Sequence, residues 1–114
     1  MEMWINPQCS KCRTALAEAE GMQVTQRRYL EQPPTAQELD EVLRKLGKEP
    51  WEITRMKEPR ATELGLASKP KDRAAWIALL VANPMLLERP IIVCDDGTAY
   101  VARDPETLKK ALAR

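Results

Sequence analysis

The apolar and polar positions of residues 1–30 change their period twice, which predicts a strand, a helix and a second strand. A short apolar run at residues 3–5 marks a strand over residues 1–5, and residues 24–30 are predicted as the second strand. Between them, residues 10–20 carry alanine and leucine at helical spacing and stop before Gly21, a residue that suits the end of a helix. This order implies two parallel strands joined by a right-handed crossover.

A helical pattern dominates the middle of the chain. Thr35 and Glu38 form a capping box, and apolar residues then recur at helical spacing as far as Gly47. Prolines interrupt residues 48–71, which favours short helical turns and loops over long elements. Asp72 is predicted to cap a further helix, whose side chains are nearly all apolar and are therefore expected to be buried.

The last quarter of the chain predicts a hairpin followed by a helix. Apolar runs over residues 90–94 and 99–101 flank an Asp-Gly turn, which is typical of two antiparallel strands. Asp104 and Pro105 then suit the start of a final helix. The complete pattern predicts a four-stranded mixed sheet flanked by helices, with a helical subregion inserted around residues 35–88.

The composition indicates an ordinary globular protein, with 44% hydrophobic and 31% charged residues in a chain of 114. This length suits one domain, which we place over residues 1–114. No apolar run approaches the roughly 20 residues of a membrane-spanning helix, and residues 1–4 lack the layout of a signal peptide. A net charge of +1 provides no basic face for nucleic acid. We expect a cytoplasmic monomer that binds neither membranes nor nucleic acids.

Two cysteines, Cys9 and Cys12, lie where the first strand is predicted to pass into the first helix. The free N–H groups and the dipole of a helix N-terminus favour a thiolate, so Cys9 is expected to be a nucleophile. Cys12 follows one helical turn later on the same face, where its sulfur can approach that of Cys9. Because cytosolic thiols are kept reduced, the spacing predicts a catalytic redox pair more readily than a lasting disulfide.

The same spacing has two other interpretations, a structural zinc site and an inert buried pair. Zinc takes four ligands, whereas the chain contains no histidine and only one further cysteine, Cys94. A zinc site would need a carboxylate in an uncommon combination, so we expect no metal. Cys94 lies in the apolar run of the third predicted strand and is expected to be a core residue. A catalytic or redox role for Cys9 and Cys12 is the favoured interpretation.

Four longer segments form a more specific pattern than the cysteine spacing alone. They are Asn-Pro-Gln-Cys at residues 6–9 with Arg13, Tyr-Leu-Glu-Gln-Pro-Pro at 29–34, Arg55 followed by Glu-Leu-Gly-Leu at 63–66, and Asn-Pro-Met-Leu-Leu-Glu-Arg-Pro-Ile-Ile-Val at 83–93. In this order, over almost the whole chain, they resemble the ArsC family of arsenate reductases, whose superfamily includes the Spx regulators. The resemblance implies a thioredoxin-like α/β fold, with the proline after Arg89 held cis beside the reactive cysteine.

The resemblance also implies reduction of arsenate to arsenite, with Cys9 as nucleophile and with Arg55, Arg89 and Arg103 as an oxyanion pocket. Arginine suits this role because its planar fork donates parallel hydrogen bonds and keeps its charge. Attack by sulfur would give a thioarsenate adduct on Cys9, from which a second thiol would release arsenite. No bound cofactor is implied, and the electron donor would be glutathione with glutaredoxin, or thioredoxin.

Three positions depart from the family pattern. Ile5 stands where these enzymes commonly carry a histidine, so Cys9 must be activated by the helix terminus and by cationic neighbours. Cys12 is a second cysteine where the glutaredoxin-linked enzymes usually need one, and we expect it to resolve the adduct by forming a Cys9–Cys12 disulfide. Arg103 lies one residue later than the family spacing, which requires a hairpin insertion or a bulge.

Each of the three arginines also has an ordinary interpretation as a surface side chain or a salt-bridge partner. An arsenate reductase is nevertheless favoured, because a pure disulfide exchanger has no need of an arginine set. A Spx-like redox-sensing regulator that binds RNA polymerase is the first alternative, although the chain ends at Arg114 without the charged extension usual in such regulators. A glutaredoxin-like thiol–disulfide oxidoreductase is the second alternative.

Overall fold

A computed structural model describes residues 1–113, and these residues cluster into two compact units. The first unit combines residues 1–33 with the chain from Arg89 onward, and the second is Pro34–Glu88. Within the described residues, no helix is both long and apolar enough to cross a membrane. The elements in chain order are β1 (Glu2–Ile5), α1 (Ser10–Glu18), β2 (Thr25–Arg28), α2 (Ala36–Leu46), α3 (Pro59–Glu63), α4 (Arg73–Ala82), β3 (Ile91–Val93), β4 (Ala99–Val101) and α5 (Pro105–Leu112).

The first unit is built on a four-stranded sheet with the order β2-β1-β3-β4. Strand β1 pairs in parallel with β2 and antiparallel with β3, and β4 closes an antiparallel hairpin with β3. The buried face of β1 and β3 packs with α1 and α5 in one apolar core. Its members include Met3, Ile5, Cys12, Ala15, Ile92 and Leu108. This packing fixes the end of β1 and the start of α1, between which the loop carrying Cys9 lies.

The second unit is helical. The Thr35 hydroxyl accepts a hydrogen bond from the Glu38 N–H at 3.1 Å, and the Glu38 carboxylate accepts one from the Thr35 N–H at 2.9 Å, which completes the capping box of α2. Gly47 ends α2 in the left-handed conformation at φ 67°, which glycine adopts without strain. Arg73, the first residue of α4, donates hydrogen bonds to Asp40 and Glu49 and so ties α4 to α2.

The structure confirms the predicted α/β class, the mixed four-stranded sheet and the helical region inserted around residues 35–88. The observed helices and strands differ from the predicted ones at their ends. Strand β2 is shorter than predicted because it is an edge strand with mostly exposed side chains, and α1 ends at Glu18, two residues before its predicted end. Asp72 is the N-cap residue of α4, as predicted, but its side chain makes no capping hydrogen bond. The assignment of residues 1–114 to one domain stays a prediction.

Candidate functional site

Cys9 is the N-cap residue of α1, at the end of the loop that leaves β1. The Cys9 N–H donates to the Asn6 carbonyl at 2.9 Å, and the Gln8 N–H donates to the Asn6 side-chain oxygen at 3.0 Å. These bonds fix the loop so that the sulfur of Cys9 lies at the first turn of the helix. The residue is 8% exposed, so it is enclosed and still open to a small solute.

The pKa of Cys9 reflects two opposed effects. Burial by itself would raise it, because a thiolate is less stable away from water. A hydrogen bond from Arg89, together with the N–H groups of Cys12 and Lys11 and the Cys12 thiol, outweighs burial and lowers the pKa of Cys9 to about 7. About half of the Cys9 thiol is therefore ionised at neutral pH.

Cys12 is the second thiol of this site, and it is protonated at neutral pH. Its side chain is fully buried, and its sulfur accepts a hydrogen bond from the Asn6 N–H at 3.4 Å. Burial raises the pKa of Cys12 to about 11, with a further rise from the charge of Cys9, although the Asn6 N–H acts in the opposite direction. The pair thus combines one reactive thiolate with one neutral thiol.

Arg89 is the cation that the structure brings to Cys9. Its side chain hydrogen bonds to the Cys9 sulfur, and the peptide bond from Arg89 to Pro90 is cis, as the resemblance implied. Burial would lower the pKa of Arg89, but its contacts with Cys9 and Tyr29 raise it, so the guanidinium stays charged. Its Nε is buried and has no hydrogen-bond partner among the described residues. A buried N–H group without a partner is a feature that a bound anion would satisfy.

Arg103 contacts the backbone of Arg89. One of its terminal nitrogens donates to the Arg89 carbonyl, directly before the cis bond. The ladder between β3 and β4 pairs consecutive residues from Ile91 with Val101 to Val93 with Ala99, so these pairs contain no bulge. Arg103 also borders a groove of about 610 Å³ between α1 and α5. The structure therefore places Arg103 at the site, and its contact with an oxyanion stays a prediction.

Arg55 belongs to the second unit. Its N–H donates to the Leu86 carbonyl at 2.7 Å, and its guanidinium lies 3.4 Å from the Glu58 carboxylate. The Arg55 Nε is buried and lacks a hydrogen-bond partner among residues 1–113. Its membership of the oxyanion pocket stays a prediction.

The structure adds one residue that sequence reasoning missed. Tyr29 follows the last residue of β2, is 1% exposed and is among the groups that raise the pKa of Arg89. The residues around Tyr29 give no signal of this effect, because Arg89 lies 60 residues later in the sequence. In the sequence, Tyr29 stands out solely as the first residue of the segment 29–34, which is one of the segments that carry the family resemblance.

The remaining cysteine and the flanking cations have ordinary roles. Cys94 is buried, as predicted, and its thiol donates to the Ala111 carbonyl at 3.4 Å. The side chains of Lys11 and Arg13 are exposed, and Lys11 lowers the pKa of Cys9 through its backbone N–H. Activation of Cys9 therefore depends on the helix terminus and Arg89.

The titration of Cys9 provides a first test of this geometry. We expect its alkylation by iodoacetamide to accelerate as pH rises and to level off above a midpoint of about 7. Below the midpoint the rate should fall about tenfold per pH unit, because only the thiolate attacks. Peptide mass spectrometry at a series of pH values separates Cys9 from the two other cysteines. A midpoint at or above about 8.5, the value of a free cysteine, would contradict the hydrogen bond from Arg89.

Comparisons with known proteins give a consistent result. The sequence profile of the ArsC family matches residues 4–111. The chain is 51% identical to a Streptomyces viridochromogenes protein described as an uncharacterized protein in the glnII region, covering 100% of both chains. It is 35% identical to an arsenate reductase of Neisseria meningitidis serogroup A, covering 98% of this chain and 97% of its relative. An arsenate reductase structure from Vibrio cholerae superposes with a TM-score of 0.85 at 34% identity, covering 99% of this chain and 97% of that one.

Proposed function

Because this chain belongs to the ArsC family, we propose that it is an arsenate reductase that uses Cys9 to reduce arsenate to arsenite. Relatives that cover nearly the whole chain at 35% and 34% identity carry the name arsenate reductase. The thioredoxin-like arrangement of the sheet, α1 and the cis proline is compatible with this chemistry.

The observation that carries the proposal is the pairing of a Cys9 thiolate with Arg89. Arsenate at neutral pH is an anion, and a bare thiolate would repel it. The Arg89 guanidinium offsets this repulsion, and its buried Nε supplies a donor for an arsenate oxygen. The N–H groups at the start of α1 add donors on the same side, since a helix N-terminus favours anions. In this proposal Arg103, which belongs to the same unit as Arg89, completes the pocket, and a role for Arg55 stays a prediction from the sequence.

The first chemical step forms a sulfur–arsenic bond. The Cys9 sulfur attacks As(V), one As–O bond breaks, and the departing oxygen takes up protons and leaves as water. The product is a thioarsenate adduct in which arsenic is still pentavalent. The cations around the site stabilise this adduct because it retains the negative oxygens of the substrate.

The second step transfers two electrons to arsenic. The Cys12 thiol loses its proton and attacks the Cys9 sulfur, so that an S–S bond forms and the S–As bond breaks. The bonding pair stays on arsenic, which leaves as arsenite, As(III). The Asn6 N–H, at 3.4 Å from the Cys12 sulfur, stabilises the thiolate needed for this attack. Two thiols are oxidised to one disulfide for each arsenate reduced.

Replacing Cys12 by serine tests the second step. In the wild-type protein, one turnover with arsenate and without added thiol should give arsenite and a Cys9–Cys12 disulfide, about 2 Da lighter than the dithiol. The Cys12→Ser variant should release no arsenite under these conditions, because no second thiol attacks Cys9. Mass spectrometry of the intact protein and of its peptides reads both outcomes. A persistent glutathione adduct on wild-type Cys9, formed with glutathione present and with no internal disulfide, would contradict resolution by Cys12.

The electron donor is distinguished by a coupled assay that follows NADPH oxidation with arsenate. We expect the Cys9–Cys12 disulfide to be reduced by glutaredoxin with glutathione or by thioredoxin, and the two systems are supplied separately. A disulfide that is regenerated in each cycle fits a reducing compartment, which is why we expect the protein to act in the cytoplasm. Failure of both systems to support arsenate turnover would count against the reductase.

A thiol–disulfide oxidoreductase is the second candidate function. It is favoured by the same pair, since a thiolate with a pKa of about 7 beside a second thiol also exchanges disulfides. Such an enzyme does not need the buried Arg89 Nε, whereas an oxyanion substrate does. Reduction of a small disulfide and reduction of arsenate, measured on the same variants, separate the two functions.

A further inference from the structure

We propose that Asn6 is a positioning residue, whose side chain holds the turn between β1 and α1 so that the Asn6 N–H group meets the sulfur of Cys12. The side chain acts through the backbone, since its oxygen bonds to the Gln8 N–H while the Asn6 N–H bonds to Cys12. The inference rests on the proposed function in so far as Cys12 resolves an adduct on Cys9. The attack of Cys12 on Cys9 is nevertheless measurable without arsenate.

Two hydrogen bonds to Asn6 close the turn that follows β1. The Cys9 N–H donates to the Asn6 carbonyl at 2.9 Å, which is the bond of a β-turn, and Pro7 takes the second position, where its fixed φ angle fits. Pro7 has no N–H group to donate. The side-chain oxygen of Asn6 accepts instead from the Gln8 N–H at 3.0 Å. Asn6 therefore closes the turn with both its carbonyl and its side chain.

The N–H group of Asn6 connects this turn to the second cysteine. Asn6 directly follows Ile5, the last residue of β1, and its N–H donates to the Cys12 sulfur at 3.4 Å. Cys12 is fully buried, and a hydrogen bond is electrostatically stronger in such surroundings than in water. The direction of the N–H depends on the backbone angles on either side of it. The extended strand before Asn6 and the closed turn after it hold those angles.

The side chain of Asn6 matters because the resolving step needs a thiolate on Cys12. Burial opposes the charge of that thiolate, and the Asn6 N–H favours it. A hydrogen bond weakens steeply when its donor is misaligned. Loss of the Asn6 side chain removes one of the two bonds that close the turn, so the loop adopts more conformations and the N–H meets the sulfur for less of the time. The attack of Cys12 on Cys9 should then slow.

The test uses dithiobis(nitrobenzoate), an aromatic disulfide that releases coloured thionitrobenzoate in two steps. The Cys9 thiolate attacks first, which forms a mixed disulfide on Cys9 and releases one thionitrobenzoate. Cys12 then loses its proton to water and attacks the Cys9 sulfur, which forms the Cys9–Cys12 disulfide and releases the second. Stopped-flow absorbance separates the two phases, because only the first depends on reagent concentration. A Cys94→Ala background removes the remaining thiol of the chain.

Asn6→Ala is expected to slow the second phase about fivefold to tenfold, as for the partial loss of one hydrogen bond to a charged group. The first phase should change by less than about twofold, because the carbonyl bond to the Cys9 N–H is kept. Asn6→Ser should give a second phase between alanine and wild type, since a serine hydroxyl makes the same turn bond more weakly. Thermal unfolding shows that each variant is folded at the assay temperature.

The matched control is Asp96→Ala. The Asp96 side chain accepts a hydrogen bond from the Thr98 N–H at 3.0 Å, which is the same kind of bond over the same separation, in the turn between β3 and β4. Its loss should leave both phases within about twofold of wild type.

Three results would overturn the proposal. They are an unchanged second phase in Asn6→Ala, an equal slowing of both phases, as a merely loosened fold would give, and a serine variant as slow as the alanine variant. A wild-type protein that completes both phases and yet forms no arsenite from arsenate would contradict the proposed function, and the comparison of the Asn6 variants would still decide the role of Asn6.

Discussion

Replacing Cys9 by serine is expected to abolish arsenate reduction, with a loss of at least about 10³-fold in kcat. A serine hydroxyl is not ionised near neutral pH, and its oxygen cannot form the disulfide that leaves two electrons on arsenic. The measurement is arsenite formed over time with each donor system present. The fold should be kept, because Cys9 occupies an N-cap position, which serine suits well.

The matched control for Cys9 is Cys94→Ala. Cys94 is a buried thiol of the same unit whose sulfur donates to the Ala111 carbonyl. Its removal should leave the specific activity of the folded protein near that of wild type, at a cost in stability of about 1 kcal/mol. Thermal unfolding of both variants is followed alongside activity. A folded Cys9→Ser protein that keeps more than a tenth of the activity would assign the reduction to another group.

Replacing Arg89 by alanine is expected to lower arsenate kcat/KM by about 10² to 10³-fold, as for the loss of a donor to a developing oxyanion. The same change removes the side-chain hydrogen bond to Cys9, so the pKa of Cys9 should rise from about 7 toward its ordinary value. Arg89→Lys should fall between alanine and wild type, because lysine keeps the charge and loses the planar fork. Steady-state kinetics and Cys9 alkylation on the same samples give both quantities.

Two comparisons make the Arg89 result specific. Arg44 is an exposed residue of α2 that forms a salt bridge with Asp40. The Arg44→Ala variant removes the same charge as Arg89→Ala and should leave arsenate kinetics unchanged. Reduction of a small disulfide, assayed at a pH where Cys9 is ionised in every variant, does not require an oxyanion pocket. Loss of arsenate turnover with disulfide exchange retained supports the pocket at Arg89. Equal loss of both activities would indicate that Arg89 has a structural role only.

The parts of the fold that depend on local sequence could be predicted. The capping box of Thr35 and Glu38 forms because both partners lie within four residues, and the Asp-Gly turn of the hairpin has the chain geometry that its residues favour. Cys9 at the start of α1 follows from the apolar run before it and the helical spacing after it. In each of these cases the interacting residues are close together in the sequence. They can therefore be predicted without knowledge of the tertiary structure.

The contacts that make Cys9 reactive could not be predicted from spacing. Arg89 reaches the Cys9 sulfur because β3 runs antiparallel beside β1. Strand order is a tertiary property, and no local pattern encodes it. The family resemblance identified Arg89 and Arg103, but it gave no indication that Arg103 binds the carbonyl of Arg89.

The most direct test of the central claim is a single turnover of the reduced protein with arsenate, in which arsenite is quantified per protein molecule. We predict one equivalent of arsenite without added thiol, together with the loss of the free thiols of Cys9 and Cys12. Absence of arsenite in this experiment, and again with the glutaredoxin and thioredoxin systems supplied in turn, would contradict the assignment of this chain as an arsenate reductase.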